Sequence, residues 1–171
     1  MSSLTAFRLS RLLVVGAVAA ATVALSGCSV INQFTNTTER DDSGQVVEEN
    51  ENADVFEVQV GDCINFEAEA EEVQTVPQIP CAQPHDAEAF SSLMLDDGEF
   101  PGLESVTATS DAHCVGPAYE EFVGVAYEES ELAATYFYPT EMSWAQGDRE
   151  VLCLVYDTAG KTEGTLADAA R

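Results

Sequence analysis

The sequence predicts an α+β domain in which one helical layer packs on a small, mostly antiparallel sheet stapled by two disulfides. Three observations support this fold class. Strand-like segments flank a stretch whose apolar residues recur at helical spacing. An even number of cysteines remains after the N-terminal region, which is typical of a stapled exported domain. Cys114 falls in the helical stretch and Cys153 in a strand, so a bond between them would join the two layers.

Four segments are predicted to be strands. They are residues 55–60, 73–79, 87–95 and 150–156. The first is rich in β-branched residues, the second alternates apolar and polar residues, the third is closed by an Asp-Asp-Gly turn, and the fourth is a continuous apolar run. Pro77 and Pro80 cannot donate backbone hydrogen bonds, so we expect the second segment to be an edge strand or a short strand. The last segment is a continuous apolar run, as expected for a buried strand.

The segment between the third and fourth strands is predicted to be helical and to begin near Pro101-Gly102. Its apolar residues recur at three- and four-residue spacing along one face. These residues are Ala108, Ala112, Val115, Tyr119 and Phe122. Pro117 interrupts the pattern, so we expect two helices, the second with this proline in its first turn.

Four cysteines follow Cys28, and they are predicted to form two disulfides. They are Cys63, Cys81, Cys114 and Cys153. Three pairings are possible, and we favour Cys63–Cys81 with Cys114–Cys153 because sequential pairing closes the shorter loops first. Each bond would contribute about 2–4 kcal/mol to stability. No C-x-x-C spacing is present, so neither a redox motif nor a zinc knuckle is indicated.

Residues 1–27 have the layout of a secretory signal peptide. Arg8 and Arg11 precede an apolar run, residues 12–24, that is too short to span a bilayer comfortably. The run leads into Leu25-Ser26-Gly27-Cys28, which resembles the bacterial lipobox. The small residues fit a signal peptidase, and the cysteine thiol accepts a diacylglycerol. We therefore predict lipidation at Cys28 and attachment to the outer face of the cytoplasmic membrane through lipid alone.

Composition divides the remaining chain into three parts. Residues 28–53 are polar and acidic, which predicts a disordered tether between the lipid and the domain. Residues 54–157 contain the predicted strands, helices and cysteines and are long enough for one modest core. Residues 158–171 are small and polar, which predicts a flexible C-terminal tail, although residues 166–170 could form a helical turn.

The chain is strongly acidic. Its 31 Asp and Glu residues against 6 Lys and Arg residues give a formal net charge of −25. This charge repels nucleic acid phosphates and anionic lipid headgroups, so no nucleic acid partner is expected. Two readings of the acidic surface remain open: a solvated coat that favours solubility, or attraction to cations or a basic partner.

Two groups of residues are candidates for binding. His85, Asp86 and Glu88 could supply nitrogen and oxygen ligands to a divalent metal, or the histidine could fix the corner beside Cys81. Trp144 could be a ligand platform or a cover over the core. Arg149 is expected to pair with Asp86 or Glu88, or to anchor an anionic ligand.

The sequence predicts no catalytic residues, metal or cofactor. No G-x-S-x-G elbow and no glycine-rich phosphate loop is present, and the cysteines after Cys28 are assigned to disulfides. Acidic residues are so abundant that a pair of carboxylates does not indicate glycosidase chemistry. We therefore expect a non-catalytic protein.

An ordered set of motifs resembles the septum-formation domain of actinobacterial envelope proteins. The motifs are residues 55–63, Val76-Pro77, Cys81, P-H-D-A-E at residues 84–88, Phe100-Pro101-Gly102, Cys114, W-x-x-G-D-R at residues 144–149, and Cys153. The resemblance implies an extracytoplasmic domain linked to cell division, with no catalytic residues to carry over. Members of that family often follow a transmembrane helix, whereas this sequence carries a lipobox.

These observations together predict a binding or scaffolding lipoprotein that engages another envelope protein. The alternative is a lipoprotein that binds a ligand or divalent cation through His85, Glu88 and neighbouring carboxylates. An exposed apolar patch would favour the first, and a concave pocket with converging polar groups the second.

Overall fold

The computed structural model describes residues 37–66 and 73–171, and it confirms the α+β fold. Within these residues, six strands form one antiparallel sheet in the order β1-β3-β2-β4-β6-β5. The strands are β1 Asn50–Asp54, β2 Cys63–Ile64, β3 Thr75–Ile79, β4 Ala87–Met94, β5 Leu132–Phe137 and β6 Glu150–Asp157. The helices are α1 Leu103–Cys114, α2 Pro117–Val123 and α3 Glu141–Trp144, with 3₁₀ turns at Val55–Glu57 and Tyr127–Glu129.

The division of the helical segment at Pro117 is confirmed, because this proline is in the first turn of α2. The predicted buried face of α1 is wrong. Ala108 and Ala112 are exposed, and the buried residues are Val106, Ser110 and Cys114. Ser110 is tolerated there because its hydroxyl donates to the carbonyl oxygen of Val106 at 2.9 Å. A pattern based on hydrophobic residues does not identify a buried serine, so it places the buried face of the helix wrongly.

The two faces of the sheet are covered differently. Helices α1 and α2 cover one face, over a core that includes Phe90, Tyr119, Val123, Val151, Cys153 and Val155. On the opposite face, strand residues pack against one another, among them Ile64, Val76, Ala89, Leu152 and Leu154. Since β2 and β3 contribute to this second cluster together with β4 and β6, the sheet is curled around it.

The predicted disulfide pairing is confirmed. Cys63 at the start of β2 is bonded to Cys81 with a Cα–Cα distance of 5.2 Å. Cys114 at the end of α1 is bonded to Cys153 in β6 with a Cα–Cα distance of 5.4 Å. The second bond joins the helical layer to the sheet, as expected.

The strand predicted for residues 55–60 is wrong. β1 ends at Asp54, whose Oδ1 accepts a hydrogen bond from the backbone of Phe56 at 3.0 Å and so caps a 3₁₀ turn. β3 is also not an edge strand, because it pairs with both β1 and β2. Pro77 is accommodated there because it lies beyond the last ladder pair of β2, Ile64 with Gln78, and its carbonyl oxygen accepts from the backbone of Asn65 at 2.9 Å.

The structure differs from the predicted tether over residues 37–53, which are folded against the domain. Arg40 donates two hydrogen bonds to the Asp62 carboxylate, at 2.6 and 2.7 Å. These bonds raise the pKa of Arg40, although burial acts in the opposite direction. Val46 and Ala53 are buried. Residues 28–36 and the predicted signal peptide lie outside the described residues.

The C-terminal segment also differs from the predicted flexible tail. Thr162 and His85 form an isolated antiparallel β-bridge, in which each backbone N–H donates to the carbonyl oxygen of the other residue. Leu166 is buried in the helix-side core. The carboxylate of Asp157 accepts a bond from Arg171 at 2.7 Å. The segment is therefore an integral part of the domain.

None of the described helices has the length and apolar character needed to cross a bilayer.

Candidate functional site

The first predicted group of binding residues is built into the fold. His85 is fully buried, and its Nδ1 lies 2.8 Å from the carbonyl oxygen of Gln83. Because a carbonyl can only accept, Nδ1 carries the hydrogen, and Nε2 lies 3.3 Å from the hydroxyl of Thr162. Both ring nitrogens thus face protein groups at the corner that follows Cys81.

The neighbouring carboxylates also make structural contacts. Asp86 accepts a bond from the backbone of Phe66 at 2.9 Å and lies 3.5 Å from the Lys161 ammonium group. Glu88 is almost fully buried and accepts bonds from the hydroxyl of Thr165 at 2.7 Å and the backbone of Leu166 at 2.6 Å. Across the part of the chain that the structure describes, no three metal-ligand side chains converge.

Trp144 and Arg149 form a second structural corner. The indole Nε1 donates to the carbonyl oxygen of Gly98 at 2.9 Å, and the guanidinium carbon lies 3.7 Å from the centre of the indole ring. Arg149 also donates to the carbonyl oxygens of Trp144 and Asp148, at 2.8 and 2.6 Å. This arrangement combines a cation–π contact with carbonyl capping.

The predicted pairing of Arg149 with Asp86 or Glu88 is wrong. Arg149 instead lies 3.4 Å from the carboxylate of Asp97. The sheet explains the difference, because β4 and β6 are antiparallel and Met94 pairs with Glu150. Arg149 therefore lies beside the end of β4, whereas Asp86 and Glu88 lie at its start. The two predicted groups are not brought together.

The structure shows a different candidate site, a groove of about 720 Å³ on the face of the sheet opposite α1 and α2. One wall includes Asp54, Val55, Phe56, Phe66 and Val73. The other wall includes Thr135, Phe137, Tyr138, Met142 and Leu152. The first wall contains the end of β1 and the second contains β5, so the groove lies between the two edge strands of the curled sheet.

Large apolar side chains are exposed in this groove. Phe56 is 66% exposed and Met142 is 64% exposed, and Phe66 and Tyr138 are exposed as well. Phe137 and Leu152 connect them to the core of the same face. A continuous apolar surface that remains exposed to solvent is typical of a binding site rather than of a folded core.

The charges at the groove are of one sign. Its lining includes Asp54, Asp148 and Glu150, and no Lys or Arg is among the described residues that line it. Asp148 is held by the hydroxyl of Ser143 at 2.8 Å and by the backbone of Glu150 at 3.0 Å. The groove therefore combines an apolar floor with an acidic rim, which favours a cationic, partly apolar ligand.

Tyr136 connects the groove to the helical layer. It lies in β5 along the groove, and its hydroxyl donates to the carboxylate of Asp111 in α1 at 2.8 Å. Burial and this hydrogen bond raise the pKa of Tyr136 to about 12. The tyrosine is therefore neutral at physiological pH and fixes the position of β5 on α1.

The sequence contains little that identifies the groove residues. The pattern predicts only that Phe56 lies in a strand, and Met142 precedes the W-x-x-G-D-R motif and carries no signal of its own. β5 was not predicted at all. Exposed apolar residues scattered along a sequence become a site only when a curled sheet places them together.

Comparison with known proteins gives one match. No curated protein and no solved structure matches the chain. The family model described as Septum formation matches residues 26–169. The match covers most of the 171 residues, including both disulfides, the groove and the C-terminal segment. The chain is therefore a member of the septum formation family, which points to a role in septum formation or the cell envelope.

Proposed function

We propose that this protein is a lipid-anchored, non-catalytic binding module that engages another envelope protein during septum formation. The observation that carries the proposal is the apolar groove with its acidic rim. The groove exposes Phe56 and Met142 to solvent in one concave surface, and such exposed apolar surface is typical of a protein interaction site.

The anchor proposed at Cys28 would place the groove outside the cytoplasmic membrane. Two disulfides are consistent with this placement, because such bonds persist in oxidising compartments. The net charge of −25 would repel anionic headgroups and so favour presentation of the groove to proteins rather than to lipid.

A binding role is favoured over catalysis because the polar side chains singled out in the sequence have structural partners. His85 bonds to the chain around Thr162, Glu88 bonds to Leu166, and Arg149 caps carbonyl groups. The same contacts favour a protein-binding groove over the alternative cation site at His85 and Glu88.

The proposal is tested by crosslinking intact cells and isolating the full chain with its attached proteins. We expect enrichment of membrane proteins of division or wall synthesis, lost when Cys28→Ala removes the anchor. We also expect the loss in Phe56→Ser with Met142→Ser, but not in Met94→Ser, a matched methionine that is 65% exposed outside the groove. Recovery of the chain without any envelope protein would contradict the proposal.

A further inference from the structure

We infer that the partner adds an extended, cationic segment to the free edge of β5, so that its alternate side chains enter the groove. This inference rests on the proposed function and names the way in which the partner is held. It is carried by the contrast between the two edges of the sheet and by the charge of the groove.

The edge formed by β5 is open to pairing beyond Leu132, whose backbone N–H donates to the Ser130 hydroxyl at 3.1 Å and whose carbonyl oxygen accepts from the Tyr119 hydroxyl at 3.2 Å. β5 pairs with β6 along all six of its residues without a register shift, and no described strand lies on its other side. Its sequence is Leu-Ala-Ala-Thr-Tyr-Phe. It contains no charge, proline, glycine or bulge, which are the features by which exposed edges usually resist pairing.

The opposite edge has the features that β5 lacks. β1 carries Glu51 and Asp54, and its register with β3 shifts between Asn50 and Ala53. Thr38 also lies against Asn50, where the amide donates to the hydroxyl at 3.2 Å. Since one edge of this sheet is charged and irregular and the other is neutral and regular, the regular edge is the one suited to an added strand.

The position of β5 determines where the side chains of an added strand would lie. Phe137 packs on the groove side of the sheet, whereas Ala134 and Tyr136 pack on the helical side. A strand added to β5 would continue this alternation and direct every second side chain toward the groove. Apolar residues at some of these positions would cover Phe56 and Met142, and basic residues at the others would meet the acidic residues of the groove.

The charges at the groove select the partner segment. Asp54, Asp148 and Glu150 would face it, and no basic residue is among the described residues lining the groove. A cationic segment is attracted, and an acidic one is repelled. The second copy of a chain that carries a net charge of −25 is disfavoured for the same reason.

The test uses the full chain in detergent micelles and a synthetic ten-residue lysine–valine peptide. Every second residue of this peptide is alternately lysine or valine, with threonine between them, so that the face directed toward the groove carries both basic and apolar side chains. We expect saturable binding that weakens with added salt, and protection of β5 amides from hydrogen exchange. A peptide with the same side chains but with N-methyl groups along one edge should bind at least roughly tenfold more weakly, because it cannot donate the strand hydrogen bonds. A glutamate–valine peptide should not bind.

Protein variants locate the binding site. Phe56→Ser and Met142→Ser should each weaken binding by roughly fivefold or more, and the matched control Met94→Ser should not. Glu150→Lys should weaken binding, whereas Glu121→Lys on the exposed side of α2 should weaken it less.

Equal affinity for the N-methylated peptide would overturn strand addition and leave only charge attraction. A dimer of the full chain in sedimentation experiments, disrupted by Phe56→Ser, would overturn the inference in favour of a second copy. If cell crosslinking captures an envelope protein through the groove while the lysine–valine peptide fails to bind, this inference fails and the proposed function stands. If neither binds, both fail.

Discussion

Glu88 holds Leu166, 78 residues away in the sequence, through a hydrogen bond of 2.6 Å from the Leu166 backbone to the glutamate Oε2. The other carboxylate oxygen accepts from Thr165. A residue that resembles a metal ligand in the sequence thus fastens the C-terminal segment to β4. Leu166 is then placed in the helix-side core.

Replacing Glu88 should therefore destabilise the fold. Glu88→Ala leaves the backbone N–H of Leu166 without its acceptor, and we expect a loss of roughly 1–3 kcal/mol in the free energy of unfolding. Chemical denaturation would measure it, with the exposed Glu163→Ala as the control. An unchanged midpoint in Glu88→Ala would show that the C-terminal segment is not held by this contact.

Arg40 should have a similar role at the N-terminal side. Arg40→Met leaves the Asp62 carboxylate, which is 2% exposed, without its charged partner. We expect a loss of roughly 1–3 kcal/mol in stability, and faster hydrogen exchange at Val46 and Ala53 than elsewhere. The more exposed pair of Arg171 and Asp157 provides the comparison. Arg171→Met should cost less, because exposed ion pairs contribute little.

These two contacts explain why the ends of the domain could not be predicted from the sequence. Composition alone places residues 37–53 and 158–171 outside the fold, since both are polar and rich in small side chains. Both segments are held against the domain by long-range hydrogen bonds, one set between Arg40 and Asp62 and the other between Glu88 and Leu166. No local pattern encodes such pairs. The disulfide pairing and the break at Pro117, by contrast, follow from local signals, and both predictions are confirmed.

The candidate site was missed for a related reason. β5 contains small and aromatic residues without clear alternation, and the curl that brings it near Phe56 is a property of the whole sheet. The sequence draws attention to side chains that can perform chemistry, namely His85, Glu88, Trp144 and Arg149. In the structure these side chains make contacts that stabilise the fold. The residues that line the groove are ordinary apolar residues whose exposure is visible only in the structure.

Stability should fall at alkaline pH through Tyr136. Its pKa is raised from 10.0 to about 12 in the folded protein. The unfolded chain therefore ionises this tyrosine first, and its contribution to stability is complete below pH 10 and is lost as pH rises toward 12. Denaturation midpoints measured between these pH values should fall less steeply in Tyr136→Phe. Tyr156→Phe in β6, a tyrosine that is not among the groups acting on Tyr136, is the control and should keep the wild-type slope.

Arg149 should be required for the position of the only tryptophan. Arg149→Met removes the cation over the indole ring and the guanidinium donor to the Asp148 carbonyl oxygen, and it leaves the Trp144 carbonyl oxygen with the Gly147 backbone as donor. We expect a loss of roughly 1–3 kcal/mol and a changed tryptophan emission spectrum. Lys161→Met removes an exposed cation elsewhere and should leave the spectrum unchanged. An unchanged emission spectrum in Arg149→Met would contradict the packing described for this corner.

The central claim is that the groove is the surface through which the protein binds an envelope partner. Its most direct test places a photo-crosslinking amino acid at position 56, 142 or 94 of the full chain in living cells. We predict that positions 56 and 142 crosslink to the same envelope protein and that position 94 does not. Equal crosslinking from all three positions, or crosslinking from position 94 alone, would contradict the claim.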